Sequence, residues 1–206
     1  MARGDLGRIF AALHEARVRY LVVSGVAVVL HGHARFTADL DLILALDPPN
    51  VLAAVKALGS LGYRPRAPVD AAQLADPTAR REWIEKKGMR VFSLWSPQLP
   101  ATEIDLFVEE PFPFKEGFGR AVQADLGGIQ VPVAAIQDIS GFGRYQKKPA
   151  KPATTAKRAE DGWKSHESEQ REAWKKLTYQ QRLDWLEQAK EFAREAVKSA
   201  AARRAR

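Results

Sequence analysis

The stretch YLVVSGVAVVLHGHARFTADLDLILAL, Tyr20 to Leu46, contains the features that decide the fold. Val18 to Val23 is rich in β-branched and aromatic residues, which predicts a buried strand. Ser24-Gly25 interrupts this run, and Val26 to Leu30 suits a short helix. Asp39 to Leu46 alternates between polar and apolar residues at first and predicts a second strand. The pattern is therefore strand, tight turn, short helix, loop and strand.

Two aspartates in the second strand are candidate metal ligands. Side chains alternate along a strand, so Asp39 and Asp41 share one face while Leu40 points to the core. The pair alone is weak evidence, since aspartates also flank strands and cap helices. Asp105 in TEIDLF lies in another predicted strand with similar apolar neighbours. Three carboxylates on neighbouring strands suit two Mg²⁺ ions, with Mn²⁺ as an alternative, because hard cations prefer oxygen ligands.

Two further features accompany the aspartates. Ser24-Gly25, between a buried strand and a helix, offers backbone N–H groups and a hydroxyl to a phosphate. Arg35 and Thr37 precede the aspartate pair in R-F-T-A-D-L-D. Both features lie in the same stretch, Tyr20 to Leu46, as the aspartate pair.

The rest of the chain predicts an α+β fold with a mixed sheet. Pro77 is expected to interrupt a helical stretch, and Pro111 to Gly119 reads as an aromatic loop. The helices are expected at residues 6–13, 50–61, 71–87 and 136–145, the strands at residues 89–95 and 102–108, and a hairpin at residues 121–134 that turns at Gly127-Gly128.

Length and composition set the class of protein. The chain has 206 residues, enough for one compact domain with an appendage. Hydrophobic residues make up 46% and charged residues 28%, as in globular proteins. The absence of cysteine excludes disulfides, cysteine–zinc sites and a thiol nucleophile, and it fits a reducing cytosol. Met1 to Gly7 has no long apolar core and Tyr20 to Leu30 is too short to span a bilayer, so we expect a cytoplasmic protein without a membrane span.

The excess positive charge lies entirely in the last third of the chain. Residues 1–141 hold 15 Lys and Arg against 16 Asp and Glu, a net of −1, whereas residues 142–206 hold 17 against 9, a net of +8. We expect a core at residues 1–146, a Pro- and Lys-rich linker at residues 147–160 and a basic helical tail at residues 161–206. The tail suits a polyanionic partner such as RNA, or is a solvated helix laced with charges.

The tail carries a helix start and an apolar stripe. Thr178 and Gln181 fit a capping box, in which each side chain bonds the free backbone N–H of the other. Behind it, apolar residues recur at helical spacing, and this stripe must bury against the core or a partner. Its members are Leu183, Leu186, Ala189, Phe192, Ala193 and Ala196.

Tyr20 to Leu46, with its Ser-Gly pair, His-Gly, R-x-T and D-x-D, resembles the minimal nucleotidyltransferases of the polymerase-β-like superfamily. TEIDLF and the segment Ile129 to Ile139 are similar to the toxin and abortive-infection (AbiEii-like) branch. The resemblance covers residues 16–140. Relatives have Gly-Gly or Gly-Ser where this chain has Ser24-Gly25. They also carry a lysine shortly after the position of Ile139, where this chain has Ser140 to Arg144.

The resemblance implies a role for each matching residue. Ser24 and Gly25 would hold the β- and γ-phosphates, and Thr37 would brace the loop. Arg35 would lie near the phosphates or the acceptor, or is an exposed loop arginine, and both alternatives stay open. The resemblance therefore implies Ser24, Gly25, Arg35 and Thr37 as the nucleotide-binding set. Asp39 and Asp41 would bind both metals, and Asp105 would bind one metal and serve as, or orient, the base. The phosphate contact of the missing lysine would pass to Arg144, Lys147 or Lys148.

The implied activity is metal-dependent transfer of an NMP from an NTP, such as ATP, to a macromolecular acceptor. Within the resembling branch, tRNA 3′ ends are a known class of acceptor, in a toxin–antitoxin setting, and the basic tail fits RNA. Three alternatives stay open: transfer to a small molecule such as an antibiotic, transfer to a protein, and a non-catalytic module whose tail binds a partner such as an antitoxin.

Overall fold

The structure, a computed structural model, describes residues 4–33, 35–140, 174 and 176–204. A seven-stranded mixed sheet carries helices on both of its faces, which confirms the predicted α+β class. The helices are α1 (Asp5–Glu15), α2 (Ser24–Leu30), α3 (Pro48–Ser60), α4 (Pro77–Lys87), α5 (Phe114–Gly119), α6 (Ile136–Ser140) and α7 (Tyr179–Arg204), with a 3-10 helix at Ala71–Ala75. The strands are β1 (Tyr20–Val23), β2 (Leu40–Leu44), β3 (Arg64–Pro65), β4 (Val91–Trp95), β5 (Ile104–Phe107), β6 (Val122–Asp125) and β7 (Gln130–Val133).

The strand order in the sheet is β3-β4-β5-β2-β1-β7-β6. Strand β2 runs antiparallel to β1 and parallel to β5, so the two strands with the candidate aspartates are direct neighbours. Strands β6 and β7 form the predicted hairpin, and β7 runs parallel to β1. The central position of β2 places the aspartates in the middle of the sheet.

The two faces of the sheet are covered unequally. Leu40, Leu42 and Leu44 of β2 point into the larger core, which α1, α2, α3 and the 3-10 helix help to form. Asp41, Ile43 and Ala45 point the other way by alternation, and Ile43 and Ala45 join a smaller cluster beneath α5. The carboxylate face therefore carries the smaller of the two apolar clusters.

Two aspartate caps fix the starts of α3 and α4. Asp47 accepts a hydrogen bond from the backbone N–H of Asn50 at 3.3 Å, and Asp76 accepts one from Thr78 at 2.8 Å. Pro77 occupies the first turn of α4, where its missing N–H costs nothing. The predicted break at Pro77 is thus confirmed: a 3-10 helix ends at Ala75 and α4 begins after it.

Helix α7 packs against the core. The predicted capping box is confirmed: Thr178 N–H donates to Gln181 at 2.8 Å, and Gln181 N–H donates to the Thr178 hydroxyl at 3.1 Å. Leu183 and Leu186 are buried in the larger core. The Arg182 guanidinium donates to the Leu30 carbonyl at the end of α2, 2.5 Å away.

A carboxylate of α7 also caps α1. Glu187 accepts a hydrogen bond from the backbone N–H of Leu6 at 2.8 Å, at the start of a helix whose own N-cap residue, Gly4, makes no side-chain cap. A negative charge at a helix N-terminus is favourable because it meets unpaired N–H groups. The described first half of the tail helix is therefore tied to both α1 and α2.

The structure corrects three expectations. Phe114–Gly119, expected to be loop, forms α5, because Glu110 accepts from the backbone N–H of Phe114 at 2.9 Å and so caps its start. Strand β3 was not predicted, since two residues are too few to show a period. Phe192 is 75% exposed, because α7 extends past the core beyond Lys190. Ala189 of the stripe is half-buried.

Several predictions fall on residues outside the description. They are the linker at residues 147–160, residues 161–173 of the tail, residues 141–145 of the helix expected at 136–145, and the side chains of Ala193 and Ala196. The domain boundaries at 146 and 160 stay predictions. Among the described residues, every helix is too short or too polar to cross a lipid bilayer.

Candidate active site

The candidate carboxylates lie in one row of aligned residues across the sheet. Asp41 of β2 is aligned with Val23 of β1 on one side and with Asp105 of β5 on the other, and Asp105 is aligned with Ser93 of β4. Aligned residues on neighbouring strands point to the same face. Asp39, two residues before Asp41, points to that face as well. The register thus brings Asp105 to the same face as Asp39 and Asp41, although it is more than 60 residues away in sequence.

Asp41 is the buried member of the set. Its exposed fraction is 5%. Burial, together with the charges of Asp105 and Asp39, raises the pKa of its carboxyl to about 6, although a hydrogen bond from Ser24 and the charge of Arg35 act in the opposite direction. The negative charge of a buried carboxylate beside two other carboxylates is unfavourable, and a bound cation would stabilise it.

Ser24 and Asp41 are hydrogen-bonded, so the hydroxyl expected at a phosphate contacts a carboxylate here. Ser24 is the first residue of α2 and is 7% exposed. Its φ of 57° lies in the left-handed region, which is uncommon for a residue with a side chain. Strain of this kind persists only where the surroundings over-determine the backbone, and it concentrates at functional sites.

Gly25 and Thr37 are in close contact. A Cβ built at Gly25 would lie 2.5 Å from both the Cβ and the Oγ1 of Thr37, so only glycine fits there. The Thr37 hydroxyl donates to the Asp39 carbonyl at 3.3 Å. The loop before the aspartates therefore lies directly on the start of α2, and Thr37 contacts both Gly25 and Asp39.

Two polar residues beside Asp105 were not foreseen. The Ser93 hydroxyl donates to Oδ1 of Asp105 at 2.5 Å. Arg66, just beyond β3, forms an ion pair with Glu103, with its Nε 2.8 Å from Oε2. The hydrogen bond to Glu103 raises the pKa of the Arg66 guanidinium most, and the charges of Glu103, Asp105 and Asp39 raise it as well, so Arg66 lies within electrostatic range of the carboxylate set. Strand register, which the sequence does not show, is what brings these residues to the site.

Lys190 of α7 was also missed, although the sequence carries a signal. It falls four residues after Leu186 on the apolar stripe, a position where a lysine is unexpected. Its side chain is 3% exposed and donates to the Thr102 hydroxyl at 3.1 Å. Burial lowers the pKa of its ammonium to about 8, while the charges of Glu187 and Asp39 act in the opposite direction. The tail thus places a buried cation within electrostatic range of Asp39.

Of the basic candidates, the structure describes one. Arg35 is exposed, and its charge lowers the pKa of Asp41, so it lies near the carboxylates. Arg144, Lys147 and Lys148 lie outside the described residues. A replacement for the missing lysine is therefore not assigned among those three.

The donor set suits a hard divalent cation. In the described ranges, no three or more His, Asp or Glu side chains are already gathered into a metal cage. The chemistry nevertheless fits: three carboxylates share one face, and two of them raise the pKa of the third. Asp39, Asp41 and Asp105 are the residues that would hold Mg²⁺, because it prefers carboxylate oxygens.

Comparison with known proteins gives distant likenesses. No protein-family model matches the chain, and no curated protein matches it. Among solved structures it is similar to ANT(2″)-Ia in complex with adenylyl-2″-tobramycin, with 14% identity, a TM-score of 0.45, and 82% of this chain and 94% of the other covered. A solution structure of the antibiotic-resistance factor ANT(2″)-Ia gives 15% identity and a TM-score of 0.44, with 97% and 95% covered. A proposed nucleotidyltransferase of Thermotoga maritima gives 12% identity and a TM-score of 0.43, with 69% and 84% covered. At these identities no residue role is transferred from them.

Proposed function

We propose that this chain is a metal-dependent nucleotidyltransferase that moves an NMP from an NTP to an RNA acceptor. The observation that carries the proposal is the alignment of Asp41 with Asp105 on adjacent parallel strands, with Asp39 on the same face. The raised pKa of Asp41, caused by burial and then by the charges of Asp105 and Asp39, supports it, because strongly perturbed pKa values cluster at functional sites. A divalent ion bound there supplies positive charge that offsets the triphosphate.

The residues of the chain would divide the work of the reaction. Ser24, Gly25 and Arg35 border the phosphates, and Asp105 receives the proton of the acceptor hydroxyl. The hydroxyl oxygen bonds to the α-phosphorus, the bond from that phosphorus to its bridging oxygen breaks, and pyrophosphate leaves. Ser93 holds Asp105 through the 2.5 Å hydrogen bond and so fixes the direction of proton transfer. Most of the catalytic effect is positioning and charge stabilisation.

RNA as acceptor is supported by the net charge of +8 in residues 142–206. The resemblance to the toxin branch supports the finer proposal that the acceptor is a tRNA 3′ end and that the protein acts in the cytoplasm as a toxin countered by an antitoxin. Arrest of growth on expression, relieved by a neighbouring gene product, would support this part. Arrest that persists in Asp39→Ala would contradict it.

A small cationic acceptor is a second candidate, because the groove between α1 and α7 is acidic. A cavity of about 590 Å³ has an apolar floor that includes Phe10 and Leu183, and a rim that includes Asp184, Glu187 and Glu191. A smaller cavity of about 200 Å³ shares Glu187 and Glu191 with it and reaches Lys190. An acidic groove favours a polycation over a phosphate chain.

The test is transfer of label from each α-³²P-labelled NTP in the presence of Mg²⁺. Total RNA, protein and a polycationic aminoglycoside are offered as separate acceptors. We expect label in RNA, lost with EDTA and in Asp39→Ala. The matched control is Glu82→Gln, which removes an exposed carboxylate paired with Lys86 on α4. Label in the aminoglycoside alone would replace RNA by the second candidate, and label in no acceptor with any NTP would refute transferase activity.

A further inference from the structure

The carboxylate face carries an exposed aromatic ring near the edge of the sheet, with two arginines on the neighbouring segment at β3. Arg64 of β3 is aligned with Trp95 of β4, and the backbone N–H of Arg66 donates to the Ser93 carbonyl at 3.0 Å, so Arg66 lies opposite Ser93. Ser93 bonds Asp105 on the carboxylate face, and Trp95, two residues further along β4, points to the same face. We name Arg64, Trp95 and Arg66 the edge platform.

The edge platform is exposed and electrostatically connected to the carboxylates. Trp95 is 36% exposed, and the Arg64 guanidinium carbon lies 5.5 Å from the centre of its ring. With strands about 4.8 Å apart and a rise of about 3.3 Å per residue, the Cα atoms of Trp95 and Asp105 are about 8 Å apart. The charge of Arg66 interacts with Asp105 and Asp39. The ring and both guanidinium groups therefore flank the position where an acceptor hydroxyl would meet Asp105.

The chemistry of the edge platform matches single-stranded nucleic acid. An exposed indole stacks on any base, and an arginine beside it adds a cation–π contact and a partner for phosphate. Arg66 uses its Nε and Nη2 on Glu103, while a guanidinium carries five N–H donors. A duplex end would present paired, stacked bases to an edge only two residues long, which suits it less than a free strand.

We propose that Arg64, Trp95 and Arg66 bind the terminal nucleotides of a single-stranded RNA, with a base stacked on the indole and the end of the strand directed to Asp105. This inference rests on the proposed function and names the surface that receives its acceptor. It also assigns a role to an exposed tryptophan that the transfer chemistry does not use.

The first test measures binding without any NTP. Fluorescence anisotropy of a labelled single-stranded ten-nucleotide RNA is recorded for the full chain and for Trp95→Ala, Trp95→Phe and Arg64→Ala. We expect Trp95→Ala to weaken binding about tenfold, and Trp95→Phe to weaken it less because a ring remains. Arg64→Ala should lower the slope of log affinity against log salt by about 0.7. The matched control is Lys56→Ala, which removes one exposed positive charge from α3 on the opposite face.

Other outcomes overturn the inference. They are unchanged RNA affinity in Trp95→Ala, an equal loss in Lys56→Ala, or a preference of the platform for a peptide over RNA. Sedimentation of the free protein tests self-association: a dimer that Trp95→Ala converts to a monomer would make this surface an interface between copies.

The second test separates this inference from the proposed function. Binding of RNA that depends on Trp95, without transfer of label from any NTP, supports the edge platform and refutes the transferase. Transfer of label to RNA that Trp95→Ala leaves unchanged supports the transferase and overturns the edge platform. Loss of both binding and labelling in Trp95→Ala, with restoration of both in Trp95→Phe, supports the two together.

Discussion

Replacement of Asp41 by asparagine is expected to stabilise the metal-free protein while abolishing transfer. The folded-state pKa of Asp41 is raised from 3.8 to about 6. At 1.36 kcal/mol per pKa unit, holding this group ionised in the folded state costs about 3 kcal/mol above pH 6. Asparagine has nearly the same shape, still accepts a hydrogen bond from Ser24 and carries no charge. The free energy of unfolding should therefore rise by about 3 kcal/mol at pH 8.

The pH dependence follows from the sign of the shift. Between pH 4 and pH 6 the folded protein holds a proton on Asp41 that the unfolded chain has released, so this group makes stability fall as the pH rises. The advantage of Asp41→Asn should accordingly shrink from about 3 kcal/mol at pH 8 to under about 2 kcal/mol at pH 5. Saturating Mg²⁺ should narrow it at pH 8, because a cation that binds the folded carboxylates stabilises the wild type more than the variant.

Urea unfolding in EDTA at both pH values measures the difference, with Glu82→Gln as an exposed control expected to change stability by less than about 0.5 kcal/mol. Thermal unfolding at pH 8 should shift upward by roughly 6–12 °C for a chain of this size. A destabilised Asp41→Asn at pH 8, or a gain of equal size at both pH values, would show that burial and the neighbouring carboxylates do not raise the pKa of Asp41. The argument for a cation site at these carboxylates would then rest on the strand alignment alone.

Three further predictions concern the neighbours of the site. Lys190→Met should raise the free energy of unfolding at pH 7 by about 2–3 kcal/mol, because burial lowers the pKa of this ammonium to about 8. The gain should fade between pH 8 and pH 10.5, as the wild type loses its proton. Urea unfolding measures it, and a gain that is independent of pH would refute this prediction. Ser93→Ala should lower kcat about tenfold or more with little change in KM for NTP, because Asp105 loses the hydrogen bond that holds it. Ser93→Thr should restore activity. A change in KM without a change in kcat would contradict a positioning role. Gly25→Ala should cost about 1–3 kcal/mol of stability, because its Cβ would lie 2.5 Å from Thr37. Adding Thr37→Gly to the same chain should recover most of that loss in a thermal melt. No recovery would mean that the clash lies elsewhere.

Local pattern was enough for the elements and for the acidic pair. Alternation predicted strand β2, and the capping box predicted the start of α7 at Thr178. Both patterns depend only on residues that are a few positions apart in the chain. The same reasoning placed Asp39 and Asp41 on one face. It failed for α5, which begins where Glu110 accepts a hydrogen bond from the backbone N–H of Phe114. It failed also for Phe192, which is exposed because α7 extends beyond the core against which it packs.

The sequence by itself determined the alternating strands, the acidic residues they carry and the charge of the tail. Only the tertiary structure decided which strands are neighbours, and therefore that Asp105 aligns with Asp41, that Ser93 bonds Asp105 and that Lys190 is buried near Asp39. The physical reason is that register and helix docking depend on packing between segments that are far apart in the chain, such as Leu30 and Arg182, 152 residues apart, or Leu6 and Glu187, 181 residues apart. The hydrophobic period within one segment specifies which face of the element a side chain lies on. Which residue it contacts on that face depends on how all segments pack together in the core.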